Sequence, residues 1–217
     1  MRMVSSICSA VLIVVLIQIS LQILKEKYEL QLVRYKCLIV SKSVLLISVG
    51  SAFVSVIVQC IKWERYRLPE MILIIFLLAG VSVLTVTDYK MQVIPNPYMI
   101  SMIAFWVVVV FVYTLTDVSD GFQLVLQSIF GGFFCGILFL VCYLLSKRQL
   151  GAGDVKISVV IGLYLGVSLA LNVFLYGSIL CCAYSLIQVA RKKLGWKDGV
   201  PMVPFFMAGI WLVLLIA

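Results

Sequence analysis

Long apolar runs alternate with short polar connections along this chain of 217 residues. A helix that crosses a bilayer needs roughly 20 consecutive apolar residues, and the chain offers about eight such runs. The pattern therefore predicts an all-α, polytopic membrane protein with about eight transmembrane helices. The sixth and seventh helices come from one apolar run, which we divide near Gly166–Asn172. The predicted helices cover residues 3–24, 43–61, 70–87, 98–116, 122–146, 155–170, 172–190 and 202–217.

The composition supports a membrane protein and leaves little room for a separate soluble domain. Hydrophobic residues make up 64% of the chain and charged residues 12%, whereas soluble domains are nearer half apolar and a quarter charged. We therefore expect one transmembrane domain over residues 1–217 that contacts the lipid bilayer. Nucleic-acid binding is not expected, because no soluble basic patch is present to support it.

The lysines and arginines are distributed unevenly between the two predicted sides of the membrane. With eight helices, thirteen of the seventeen fall in the first, third, fifth and seventh connections, and four fall on the other side. Positive residues collect in cytoplasmic connections. The asymmetry predicts that these four connections face the cytoplasm and that both termini lie outside.

Two acidic residues stand at the edges of apolar runs. Asp88 ends the third predicted helix and Asp154 opens the sixth, whereas the other seven acids lie in polar connections. A charge at the edge of the membrane is energetically costly and indicates a functional site. Both residues fall at the predicted cytoplasmic end. The alternative is that each aspartate only caps or anchors the end of its helix.

Asp154 shares one helix face with small residues. Ser158, Gly162 and Gly166 follow it at intervals of four, which places all four residues on that face. Small residues allow close helix packing, so we expect Asp154 to face a helix interface. Lys156 lies about 200° around the helix from Asp154 and is expected to extend toward water without pairing with it. The fifth helix carries a matching row of small residues, Ser128, Gly132 and Gly136.

Two carboxyl groups brought together at such an interface could share one proton. One group would act as a base that activates water, and the other as an acid that protonates the leaving group. Asp88 is predicted at a helix C-terminus and Asp154 at a helix N-terminus, where the helix dipole favours a carboxylate. This difference predicts Asp154 as the base and Asp88 as the acid, within a pair that titrates as a unit.

A metal site and a cofactor are not expected. The seven cysteines include no CxxC pair, and the chain contains no histidine. Structural zinc sites are built from cysteine and histidine ligands at short spacings. The cysteines are interpreted as packing residues in apolar segments.

The stretch "GAGDVK" resembles the GxGD signature of intramembrane aspartyl proteases. Its surroundings are similar to the prepilin peptidases, whose pattern is G-x-G-D-x-K followed by a helix of small residues that ends in G-x-x-x-G. The matching residues are Gly151, Gly153, Asp154, Lys156, Gly162 and Gly166.

Two further motifs support the same resemblance. The family has an aspartate followed about six residues later by Ile-Pro-Asn, and near its C-terminus it tends to show Ile-Pro-Phe-Gly-Pro-Phe. The segment "VPMVPFFMAG" is similar to the latter but lacks the Phe-Gly pair. The matching residues are Asp88, Ile94, Pro95 and Asn96 in the first motif, and Pro201, Pro204 and Phe205 in the second.

The resemblance implies the GxGD aspartyl protease fold, with a peptidase core over residues 70–217 and two additional N-terminal helices within residues 1–69. It implies an endopeptidase of the cell membrane, with Asp88 and Asp154 as the catalytic pair. Such enzymes remove the short basic leader from type IV prepilins or pseudopilins at the cytoplasmic face. Many members carry a zinc-binding insert linked to N-methylation between the first two helices. Here that connection is short, so methyltransferase activity is not expected.

Other functions remain open at this level. A protease of the presenilin or signal-peptide-peptidase type would show a Tyr-Asp pair and a Pro-Ala-Leu motif, and neither is present. A transporter or channel could use Asp88 and Asp154 as a proton relay, although no internal symmetry between halves is evident. A scaffold that has lost its activity is a further alternative, but both aspartates are present. The pilin substrate and the oligomeric state are not determined by the sequence.

Overall fold

A computed structural model describes residues 8–22, 42–62, 67–91, 94–146, 151–192 and 200–216. The regular structure within these ranges is entirely helical, which confirms the predicted all-α class. The predicted short connection between the first two helices lies largely outside the described residues. The helices are α1 (Cys8–Gln22), α2 (Lys42–Lys62), α3 (Leu68–Met91), α4 (Asn96–Thr116), α5 (Val118–Leu145), α6 (Ala152–Ala190) and α7 (Val203–Ile216).

The helices are those of a membrane protein. Within the described residues, α3, α4, α5 and α6 are each long and apolar enough to cross a bilayer. Large apolar side chains such as Phe111, Phe130 and Phe133 are exposed on α4 and α5. An exposed apolar surface of this extent suits contact with lipid. The number of membrane crossings, predicted as about eight, stays a prediction.

The chain divides into two compact units, Met1–Val86 and Thr87–Ala217. The first unit holds α1, α2 and most of α3, and buried polar side chains link these helices. Gln59 donates from Nε2 to Ser9 Oγ at 2.6 Å and to Ser55 Oγ at 3.1 Å. The Oγ atoms of Ser51 and Ser82 are 2.7 Å apart. Hydrogen bonds of this kind help apolar helices to associate.

In the second unit, α4 and α5 form a tight helical hairpin. Asp117 ends α4 and caps α5, because its Oδ1 accepts hydrogen bonds from the Asp120 N–H at 3.1 Å and the Ser119 hydroxyl at 3.0 Å. Gly121 packs against Thr114, where any added side chain would overlap the threonine backbone. The two helices therefore run antiparallel from this connection.

The next contact joins α5 to the start of α6 through glycines. A Cβ atom on Gly162 would lie 2.6 Å from the carbonyl carbon of Gly131. Farther along, Gly136 faces the side chain of Val159, and Ser158 Oγ donates to the Cys135 carbonyl at 3.4 Å. The predicted small-residue interface is present and antiparallel. Its closest backbone approach uses Gly131, which the predicted row on the fifth helix did not include.

The helix α6 folds back on itself at Gly166. This residue has φ 72° and ψ 176°, a region that is essentially restricted to glycine. Phe174 packs against Phe139 of α5 in a tilted arrangement, with ring centroids 4.6 Å apart. Val159 contacts α5 only one turn earlier along that helix, at Gly136. In a straight helix, the 15 residues between Val159 and Phe174 would span about 22 Å.

We name the two parts of α6 on either side of Gly166 α6a (152–165) and α6b (167–190). They lie side by side and run in opposite directions. The break falls inside the segment Gly166–Asn172, where the sequence predicted the sixth and seventh helices to divide.

The last helix packs against α6b. Phe206 of α7 makes edge-on contacts with Phe139 and Phe174, at centroid distances of 5.6 and 5.3 Å. Gly209 faces the backbone of Val173, and a Cβ atom there would overlap it. These contacts fix the N-terminal turn of α7 against α5 and α6b.

The Gly131–Gly162 contact predicts a selective effect of a single methyl group. Gly162→Ala should destabilise the protein by about 1–3 kcal/mol, because the new Cβ would press on a backbone carbonyl that cannot turn aside. Gly136→Ala is the matched control, since its Cβ would meet only a methyl group of Val159. Thermal unfolding of the purified protein in detergent should show the larger decrease in midpoint for Gly162→Ala. Equal midpoints would contradict the backbone contact.

Candidate active site

Asp154 lies in the first turn of α6, as predicted. It is buried, with 9% of its surface exposed. Its N–H donates to the Gly151 carbonyl at 3.0 Å, and Gly151 caps the helix. The carboxylate turns back over Gly151, where a Cβ atom would lie 3.0 Å from Oδ2. Gly151 therefore leaves the space that the Asp154 carboxylate occupies, and an acidic residue in this turn matches the helix dipole.

Asp88 lies in the last turn of α3 and is buried to the same extent, with 8% exposed. Its Oδ2 accepts a hydrogen bond from the main-chain N–H of Val203 at 3.2 Å. The carboxyl groups of Asp88 and Asp154 are close enough to interact electrostatically. The structure thus brings together the two acids that the sequence singled out, although they are 66 positions apart in the chain.

The Ile-Pro-Asn segment lies next to the aspartate pair, because it packs on the start of α6. Ile94 fills the space over Gly153, where a Cβ atom would lie 2.7 Å from Cδ1 of the isoleucine. Pro95 caps α4, with φ −69° and ψ 120°. Asn96, the first residue of α4, accepts a hydrogen bond on Oδ1 from Lys156 Nζ at 2.8 Å. Lys156 is exposed, and its hydrogen-bond partner is Asn96, which the helical-wheel analysis did not anticipate.

The proline segment near the C-terminus completes the site. Pro201 precedes α7, and Pro204 is the second residue of that helix. Between them lies Val203, whose N–H reaches Asp88. Sequence reasoning missed this donor, because every residue other than proline has a main-chain N–H and no side-chain pattern marks the one that binds. The available signal was the pair of nearby prolines, which lack an N–H and leave few donors in this segment.

The glycines at the end of the sequence motif do not belong to the carboxyl site. Gly162 and Gly166 follow Asp154 by eight and twelve residues, which corresponds to about 12 and 18 Å along a helix. Gly162 allows α5 to approach, and Gly166 turns the chain back. Their role is to position α6a and α6b.

The return of α6b brings Cys181 toward Asp154. The Cys181 thiol interacts electrostatically with Asp154, which a straight α6 would place about 40 Å away. Among the described residues, no three His, Cys, Asp or Glu side chains are grouped closely enough to hold a metal ion. Within the described part of the chain, the acidic groups of the site are therefore the carboxyls of Asp88 and Asp154, with the Cys181 thiol near Asp154.

The site lies where several helix ends meet at one end of the second unit. The end of α3 carries Asp88, the start of α6a carries Asp154, and the start of α7 carries Val203. The contacts Asn96–Lys156 and Met102–Tyr164 follow the same order along α4 and α6a, so these helices run parallel. Buried carboxyls in such a cluster can accept and donate protons, which is the requirement for acid–base chemistry on a substrate.

Comparison with known proteins supports a proteolytic family. Residues 71–186 match the model of the type IV leader peptidase family. The match covers more than half of the chain and includes both Asp88 and Asp154. No curated protein and no solved structure matches the chain.

The Asn96–Lys156 hydrogen bond predicts a small energetic coupling between two motifs. Asn96→Ala and Lys156→Met should show a coupling of about 0.2–1 kcal/mol in a double-mutant cycle, because the contact is exposed to solvent. Thermal unfolding of the single and double variants measures it. Ser101→Ala, combined with Lys156→Met, is the control and should be additive, since the Ser101 hydroxyl donates to the Tyr98 carbonyl within α4. Additive effects in both pairs would exclude the contact.

Proposed function

Because the chain belongs to the type IV leader peptidase family and is therefore a membrane protease, we propose that it is an aspartic endopeptidase. Asp88 and Asp154 form its catalytic pair. The observation that carries this proposal is that these two carboxyls, at the end of α3 and the start of α6a, are both buried and close enough to interact electrostatically. Membership of the family favours proteolysis over the proton-relay alternative.

The chemistry follows from two carboxyl groups that share one proton. The carboxylate takes a proton from water as the water oxygen attacks the carbonyl carbon of the peptide bond. The protonated carboxyl gives its proton to the amide nitrogen as the carbon–nitrogen bond breaks. The products are a new carboxyl end and a new amine end, and the pair has exchanged its proton. No metal ion or cofactor is needed for these steps.

The division of roles between the two aspartates is less asymmetric than the sequence indicates. Asp154 lies at the N-terminal turn of its own helix, as the sequence predicted. Asp88 ends α3, yet it also accepts the Val203 N–H at the N-terminus of α7. Each carboxyl therefore faces one helix N-terminus, where a negative charge is favoured. We propose only that the two share the proton as a unit.

The substrate class proposed is a prepilin or pseudopilin with a short basic leader before an apolar helix. Leader peptidases of this family imply substrates of the prepilin type. We place the cleavage at the cytoplasmic face of the cell membrane and both termini outside. The support for this orientation is the excess of lysine and arginine in the connections on the Asp88 and Asp154 side. Two of these basic residues, Arg191 and Lys192, directly follow the end of α6b, which returns toward the Asp88 and Asp154 side.

Replacing either aspartate should abolish cleavage. Asp88→Asn and Asp154→Asn keep the shape of the side chain but cannot exchange the proton, so each should reduce processing by at least about 1,000-fold. The assay is processing of a co-expressed prepilin with a basic leader, followed by the shift of the pilin band. Asp120→Asn, in the first turn of α5, is the matched control and should process normally. Processing by either active-site variant at the wild-type rate would refute the catalytic pair.

The mature pilin should leave this protein without a methyl group. The connection between the first two predicted helices is too short for a second catalytic domain and contains one cysteine, so it has no CxxC pair. Mass spectrometry of a pilin processed by the purified protein with S-adenosylmethionine should show an unmodified N-terminal amine. A product heavier by one methyl group would show that the chain is also a methyltransferase.

A further inference from the structure

The N-terminus of α7 presents one main-chain donor to the site. The first amides of any helix lack partners within the helix. In α7, the N–H groups of Phe205 and Phe206 donate to the Met202 carbonyl at 3.0 and 3.1 Å, and Pro204 has no N–H. Among the first four residues of α7, this leaves the Val203 N–H, which donates to Asp88 Oδ2 at 3.2 Å.

The surroundings hold this donor in place and keep it dry. Val203 and Phe206 have no exposed surface, and Asp88 is 8% exposed. Phe206 locks the first turns of α7 into the aromatic cluster with Phe139 and Phe174. A hydrogen bond to a charged group is stronger in such surroundings than in water, and its geometry is more tightly defined.

We propose that the main-chain N–H of Val203 is a positioning group for Asp88. This inference rests on the proposed aspartic protease mechanism. The N–H holds one carboxylate oxygen, Oδ2, and leaves the other oxygen of Asp88 to exchange the shared proton. Pro204 contributes by removing the neighbouring amide, which would otherwise compete for the same carboxylate. The proline segment therefore delivers a single donor to one oxygen of Asp88, Oδ2, and leaves the other oxygen to exchange the proton.

The variant Val203→Pro removes this N–H with little disturbance of the helix. Proline is well accepted at the first position of a helix. The residue before it, Met202, acts as the helix cap because its carbonyl accepts the first helical bonds. A cap residue is normally extended, which is also the conformation that a following proline favours. Replacing the Val203 amide with an ester is a second variant, which removes the N–H and keeps the side chain.

Removing the Val203 N–H should lower the turnover number, kcat, and leave KM nearly unchanged. With purified protein in proteoliposomes and a synthetic peptide of basic leader, glycine and apolar segment, both variants should lower kcat by about tenfold or more, since misplacement of about 1 Å can cost on the order of 100-fold. KM should stay within about twofold, because the group acts in the transition state rather than in binding. Val118→Pro, at the exposed first residue of α5, is the matched proline control and should retain the wild-type kcat.

Infrared spectroscopy separates this proposal from the proposed function. The carboxyl bands of Asp88, assigned with Asp88→Asn, should shift in the ester variant and in Val203→Pro, and not in Val118→Pro. If the wild type cleaves nothing, the proposed function fails, and the infrared bands alone decide whether the hydrogen bond exists. Unchanged kcat or unchanged Asp88 bands in the ester variant would overturn the positioning role. If Val203→Pro unfolds, the ester variant supplies both measurements.

Discussion

Two carboxyl groups buried at the ends of apolar helices, close enough to interact electrostatically, are the constraint on which the rest of the second unit depends. A buried carboxylate without hydrogen-bond donors is strongly unfavourable. Each aspartate here therefore meets the N-terminus of a helix, Asp154 in the first turn of α6 and Asp88 at the first residue of α7. This arrangement requires that the end of α3 and the starts of α6 and α7 converge at one point.

Convergence at one end is possible only because the chain changes direction at defined glycines. Gly166 adopts a conformation that other residues rarely reach, and it sends α6b back toward the carboxyl pair. Gly131 and Gly162 let α5 and α6a approach at backbone distance. The aromatic cluster of Phe139, Phe174 and Phe206 then fixes α7 against the returning helix. Glycines that lie far from the carboxyls thus determine where α7 begins, and with it the position of the Val203 N–H that donates to Asp88.

The three sequence motifs correspond to parts of one site that hold one another. Ile94 covers Gly153, and Asn96 accepts the hydrogen bond of Lys156, so the first and second motifs are in contact. Val203 lies between the prolines of the third motif and donates to Asp88 of the first. Each of these short segments supplies either one of the two buried carboxyls or a contact that orients a residue of another segment.

The sequence by itself determined the helical membrane class, the position of the two aspartates at the ends of apolar helices, and the small-residue face of α6. These features follow from the length of apolar runs, from isolated charges and from helical spacing, which are all local properties of the chain. It also located the break near Gly166, although the change of direction there depends on contacts with α5. Only the tertiary structure decided that Lys156 bonds Asn96 and that the Val203 amide meets Asp88. These contacts join residues 60 and 115 positions apart. One of them uses a main-chain group that leaves no mark in the sequence, since every residue except proline carries it.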